Sequence, residues 1–153
     1  MVAKLNKKIK VVLPSSNEKL DKIINYLMKN GKKSVAKKIY NDMLKDIKSS
    51  HMNPQIVVET AIENASPLMM VKSKRLGGSV YQVPVEVKQN KRLFYAMRWI
   101  LDAVRSKSKP MYKKLSEEML AAYSNQAAVK KKEETHKMAE ANKAFAYMAK
   151  YVN

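Results

Sequence analysis

One stretch of this chain alternates with a period of two, and everything around it does not. In Ser79-Val-Tyr-Gln-Val-Pro-Val-Glu-Val87 the positions Tyr81, Val83, Val85 and Val87 are apolar, while Gln82, Pro84 and Glu86 are not. A Val-rich alternation of this kind predicts a strand with one buried face. The preceding run, Leu68 to Leu76, has the length of a partner strand, and Gly77-Gly78 between them suits a tight hairpin turn. Pro84 cannot donate to a ladder, so the pair must be a sheet edge or a free-standing ribbon. A lone two-stranded ribbon is marginal in water, so one carrying Lys72, Lys74 and Arg75 near its tip is expected to need an anionic partner to order it.

Helical spacing accounts for the rest. Ser15 and Glu18 have the separation of a capping box, and Leu20, Ile23, Ile24, Leu27 and Met28 follow on one face before Gly31. A second helix is predicted from about Lys33 to Lys48, burying Val35, Ile39, Met43, Leu44 and Ile47. Asn53-Pro54 places an N-cap before proline at the first helical position, and Ile56, Val57, Ala61, Ile62 and Ala65 continue that third helix to Pro67. Asn90 is the expected cap of a fourth, Lys91 to Arg105, with Leu93, Met97, Ile100, Leu101 and Val104 inward. Pro110 opens a fifth around Leu115, Met119 and Leu120. The last runs from about Ala128 to Tyr147, with Val129, Met138, Ala141 and Phe145 on its apolar side. The predicted fold is mainly α: a single six-helix bundle domain over 15–153, with a protruding two-stranded β-ribbon at about 68–88 and a basic extended arm at 1–14.

Charge then narrows the function. The 153 residues hold 31 Lys plus Arg against 13 Asp plus Glu, a formal net charge of +18. The excess is uneven: residues 1–16 carry +4, 17–48 carry +5, 68–92 carry +5, 93–110 carry +3 and 128–153 carry +3, whereas 49–67 are −2 and 111–127 are neutral. Hydrophobic residues make up 46%, too many for a disordered polycation. Several separate cationic regions on a folded body predict a multi-point phosphate-binding surface. No apolar run reaches the roughly 20 residues of a membrane span, and the helices lack a broad aromatic face, so a membrane partner is not expected. The first eight residues have no apolar core of a secretory signal.

Catalysis finds little material. There is no cysteine and there are two histidines. Glu133-x-x-His136 matches half of a di-iron helix motif, but the other histidine, His51, has Lys48 where the second glutamate would stand. Gly31-Lys32-Lys33-Ser34 lacks the upstream glycine of a phosphate loop, with Tyr26 in its place. No enzyme, metal or cofactor is expected. Trp99 is expected as a core indole and Tyr81 as ribbon packing, with base stacking the alternative for each. An architectural DNA-binding protein with its ribbon in a groove is the other reading that the charge admits.

Four segments carry a resemblance. Asn30 to Ala36, Val71 to Val87, Met97 to Leu101 and Ala128 to Ala146 resemble, in that order, the bacterial-type small-subunit ribosomal protein seven family, over about Val11 to Ala146. The resemblance implies a helical domain with a β-ribbon that binds the three-prime major domain of small-subunit ribosomal RNA and acts early in assembly of the subunit head. It implies a ribbon near the exit-site tRNA and the mRNA exit path, beside ribosomal protein eleven of the same subunit. Carried over by position, the rRNA-binding set is Lys4, Lys7, Lys8 and Lys10 in the arm; Lys29, Lys32, Lys33 and Lys37 around the first inter-helix loop; Lys72, Lys74, Arg75, Gly77 and Gly78 in the ribbon; Lys91 and Arg92; and Lys130, Lys131, Lys132 and His136 in the final helix. The chain departs from the family at its end, where Tyr147 to Asn153 replaces the usual His or aromatic followed by Arg. The run Lys131 to His136 is similar to plastid members. The resemblance therefore implies the small ribosomal subunit of an organelle (plastid stroma over mitochondrial matrix) or of the bacterial cytoplasm.

Overall fold

A computed structural model describes residues 18–126 and 128–151 of the chain. Among them are six α-helices: α1 (Glu18–Leu27), α2 (Lys33–Ser49), α3 (Pro54–Ala65), α4 (Gln89–Arg105), α5 (Met111–Tyr123) and α6 (Ala128–Ala141). An antiparallel ribbon, β1 (Met69–Leu76) and β2 (Ser79–Glu86), separates α3 from α4, and a 3₁₀ helix, Lys143–Tyr151, follows α6. The basic arm at 1–14 and the Ser15 half of the capping box lie outside the described residues.

Helices α1 to α5 enclose the core. Ile23, Met43, Ile47, Met97, Ile100, Leu115 and Met119 are fully buried there, and α5 packs against α2, α3 and α4. At the start of α3, Asn53 Oδ1 accepts from Gln55 N at 3.1 Å with Pro54 in the first turn, as its sequence predicts. Two predicted core residues face outward instead: Val35 is 50% exposed and Ile56 is 55% exposed. In α2 the inward face is Ala36, Tyr40, Met43 and Ile47, and in α3 it is Val57, Val58, Ala61 and Ala65. Val35 and Ile56 each stand one residue, about 100° of helix, before those faces. Burial pushes the Tyr40 phenol up from its ordinary range, helped by Asp21 and Glu59.

Two helix boundaries also differ from the expectation. Asn90 does not cap α4; the helix starts at Gln89, two residues before the expected Lys91, with Lys88 at the N-cap and no side-chain hydrogen bond there. The final helix does not run on to Tyr147. Asn142 sends both its backbone N (3.2 Å) and its side-chain Nδ2 (2.8 Å) to Met138 O, after which Phe145 N bonds to Asn142 O at 2.9 Å in the tighter pattern. On α6, Val129, Thr135 and Ala139 are buried, while Met138 and Ala141, expected on the apolar side, are exposed.

The tighter winding has a purpose visible in the ribbon. Phe145 meets Tyr81 with ring centroids 5.4 Å apart, and Met148 is buried. The 3₁₀ helix thus packs on β2 while α6 packs on β1. Val83, Pro84 and Val87 are buried and Tyr81 is half-buried, so residues of both ribbon faces are covered, not one. The ribbon is therefore not free-standing: α6 and the 3₁₀ helix supply the third and fourth elements that a two-stranded pair lacks on its own. At the tip, Gly77 and Gly78 take φ of +57° and +88°, the left-handed pair of a tight hairpin turn that residues with a Cβ rarely adopt.

Candidate nucleic-acid interface

Between α1 and α2, Asn30 and Gly31 both have positive φ (54° and 71°), turning the chain sharply. Lys33 N bonds to Gly31 O at 2.8 Å and Ala36 N to Lys32 O at 3.2 Å, which starts α2 at once. The turn leaves Lys29, Lys32, Lys33 and Lys37 all exposed. No side chain caps α2, and its first turn holds no acid. The start of α4 repeats the pattern, with Lys88 and Lys91 exposed, no capping side chain and no acid. Lysines at the positive end of a helix are unfavourable by about 0.3–1 kcal/mol each. Two helices that begin this way carry a local charge imbalance that a bound anion relieves. Tyr26 at the end of α1 lies 6.0 Å, ring to ring, from Phe94 in α4, so these two cationic starts occupy the same end of the bundle.

The ribbon adds the second part. Lys72 pairs across with Val83, Lys74 with Tyr81 and Arg75 with Val80. Lys72 and Lys74 therefore project from one face and Arg75 from the other. Beneath the ribbon lies a cavity of about 820 Å³, lined by Met69, Met70, Val85 and Tyr95 and by the three lysines Lys72, Lys88 and Lys91. Lys88 is absent from the residues carried over by resemblance. The signal for it was present in the charge of 68–92, but only the fold shows that it shares a cleft with Lys72.

Other predicted site residues are turned to internal tasks. Arg92 Nε donates to Val87 O at 3.0 Å, and its guanidinium lies 3.4 Å from Glu86, clamping the end of the ribbon to α4. Of the lysine run in α6, Lys130 is exposed, Lys131 pairs with Glu134 at 3.2 Å, and Lys132 Nζ reaches Asn64 O on α3 at 3.0 Å. His136 Nε2 accepts from Leu68 N at 3.0 Å and lies 3.5 Å from Met69 N, tying α6 to the first residues of the ribbon. Only a neutral imidazole can accept, and desolvation, reinforced by Lys132, holds its pKa below the ordinary histidine value.

Further cations that a charge count treats as surface belong to the packing around α5. Lys114 is buried and donates to Lys107 O at 2.6 Å, Lys107 Nζ donates to the buried Glu118 at 2.8 Å, and Ser116 donates to Asp46 on α2. Trp99 is not a core indole. It is half-buried and, with Glu118, lines a separate cavity between α4, α5 and α6. Tyr81 does pack within the ribbon base, against Phe145.

Comparison with known proteins adds an independent finding. The family model described as ribosomal protein S7p/S5e matches residues 3–143. The small ribosomal subunit protein uS7 of Halorhodospira halophila is 50% identical over 141 residues, covering 89% of this chain and 91% of that relative. The uS7 protein of Alkalilimnicola ehrlichii is 52% identical over 134 residues, covering 86% of each chain. That of Desulfatibacillum aliphaticivorans is 49% identical over 143 residues, covering 89% of this chain and 91% of the relative.

Proposed function

Because the chain belongs to the ribosomal protein S7p/S5e family, we propose that it is a structural, non-catalytic constituent of the small ribosomal subunit that binds the subunit's RNA directly. One observation carries the mechanism. The exposed lysines of the α1–α2 loop and of the start of α4 sit at uncapped, acid-free helix N-termini on one end of the bundle. Phosphates placed there neutralise the lysines, satisfy free backbone N–H groups and release condensed counterions. The fold sets the spacing of these contacts, which is how a protein reads folded RNA by shape.

In this reading the target is the three-prime major domain of small-subunit rRNA, and binding nucleates assembly of the head. The arm at 1–14 adds Lys4, Lys7, Lys8 and Lys10 as further phosphate contacts. The ribbon, rooted by Arg92 and His136 and capped by Gly77-Gly78, projects toward the exit-site tRNA and the mRNA exit path beside ribosomal protein eleven. Identity of about half to uS7 proteins of several bacteria supports a bacterial-type ribosome as the place of action. Competition separates this reading from architectural DNA binding. A head-domain RNA fragment should displace duplex DNA from the protein in large excess of the DNA, and preferential retention of duplex DNA overturns the proposal.

A further inference from the structure

The cleft of about 820 Å³ between the ribbon and the start of α4 is the size of a small-ligand site, for which about 300–1,000 Å³ is typical. Its cations come from both sides: Lys72 from β1, and Lys88 and Lys91 from the start of α4. All three are exposed, and the acid in the lining, Glu86, is engaged by Arg92 at 3.4 Å. The interior differs from the rim. Tyr95, about one helical turn beyond Lys91, is half-buried and forms part of the α4 wall. Its ring is braced by Phe94, edge-on with centroids 5.3 Å apart, and by Trp99 at 6.2 Å, and neither of these lines the cleft. On the ribbon side Met70 and Val85 are a cross-strand pair, both half-buried. A braced aromatic ring and an apolar pair thus lie beside three exposed ammonium groups.

We propose that this cleft holds one unstacked nucleotide of the RNA partner, its base on Tyr95 against Met70 and Val85, its flanking phosphates on Lys88, Lys91 and Lys72. The inference rests on the RNA-binding reading above and adds a base contact to a set of phosphate contacts. Every base has a flat π-face, and bases splayed out of a fold stack on aromatic side chains in this way. The walls grip the base by its face and not by its edge, so the site admits any of the four. Phe94 and Trp99 hold the Tyr95 ring before the ligand arrives, which keeps the ordering cost of binding small. An acidic peptide meets the same lysines, but its carboxylates bring no flat apolar group for the ring and the Met70–Val85 pair. Charge outside and a π-face inside together favour the nucleotide.

Fluorescence anisotropy of the full-length chain with a labelled uridylate hexamer, set against an abasic hexamer of the same backbone, reads the base contact apart from the phosphates. The base-bearing probe should bind tighter by about fivefold or more. Tyr95→Leu should erase that difference and leave the slope of log K against log salt unchanged, while Tyr95→Phe should keep it. Lys88→Ala with Lys91→Ala should instead weaken both probes alike and flatten the slope by about 1.4. Tyr147→Leu, at an aromatic that is 65% exposed and outside the cleft lining, should change neither. Should Tyr95→Leu fail to fold, ultraviolet cross-linking of the unmodified chain to the uridylate probe, mapped by mass spectrometry, should place uracil on Tyr95 or Met70. Any one of four results overturns the proposal: equal binding of the two probes, a difference that survives Tyr95→Leu, hexaglutamate binding as tightly as uridylate, or cross-links only outside the cleft. A head-domain RNA fragment is titrated alongside. Its retained binding without a base contribution in the hexamer removes the nucleotide site and leaves the ribosomal reading standing, whereas its failure to bind removes both.

Discussion

Replacing Lys33 and Lys91 by glutamate should make the free protein more stable and the RNA complex weaker. Both lysines are exposed in the first turns of α2 and α4, where neither helix has an acid or a capping side chain. A cation near the positive helix end costs about 0.3–1 kcal/mol, and an acid there contributes a similar amount with opposite sign. Each reversal is therefore worth roughly 1 kcal/mol, and the pair about 2 kcal/mol. For a chain of this size each kcal/mol raises Tm by about 2–4 °C, so thermal unfolding followed by circular dichroism should move up by roughly 4–8 °C at low ionic strength. Filter binding to a head-domain RNA fragment should move the other way. Each lost phosphate contact flattens the slope of log K against log salt by about 0.7–0.9, so the double variant should lose about 1.4–1.8. The opposite signs are the point of the experiment. A variant that loses stability while keeping affinity and slope would show that these lysines serve the fold and not a polyanion.

Four further outcomes follow from the same geometry. Alanine at Lys72, Lys74 and Arg75 together should flatten the salt slope by roughly 2–3 with the circular dichroism spectrum unchanged; an unaltered slope takes the ribbon out of the interface. His136 has a folded pKa below its unfolded value, so the stability it contributes is complete above the unfolded pKa of about 6.5 and is lost as pH falls through the folded value. The chain should thus lose stability on acidification below about pH 6.5 by a component that His136→Gln lacks; parallel curves for the two proteins would contradict the assignment. Met119→Ala, at a fully buried position, should cost about 2–5 kcal/mol in urea unfolding. Val35→Asp, at a site that is 50% exposed, should stay within about 0.5 kcal/mol, and a core-sized loss there would mean that α2 packs by another face.

The fold was legible wherever periodicity is strong. The period-two segment became β2, and Asn53-Pro54 marked the first turn of α3 to the residue. What periodicity does not carry is the rotation of a helix about its axis when several apolar positions compete. Val35 and Ile56 lost their predicted places, and Ala36 and Val58 stand on the buried faces instead. The end of α6 was missed because its cause is local hydrogen bonding by Asn142, and the winding of the 3₁₀ segment is fixed by what Phe145 reaches on the ribbon.

The candidate interface was legible as charge and less so as individual side chains. A lysine in a sequence looks the same whether its ammonium meets solvent, as at Lys29 and Lys130, or a carbonyl across the fold, as at Lys114 and Lys132. The distinction depends on which acceptors the tertiary packing leaves unmet, such as Asn64 O and Lys107 O. Histidine carries the same ambiguity: His136 reads as an RNA-facing polar group, and its ring nitrogen meets the backbone that enters β1. Lys88 went unremarked for the complementary reason, since its importance lies in sharing a cleft with a residue sixteen positions away.

The central claim is that the lysine-bearing helix starts and the ribbon are spaced to hold phosphates of folded small-subunit RNA. Its most direct test is equilibrium binding of the full chain to a three-prime major domain fragment across a range of salt. The account predicts nanomolar affinity at low salt that falls steeply and linearly in log K against log salt, with several phosphate contacts implied by the slope. Absent binding, or binding that salt leaves untouched, would contradict it.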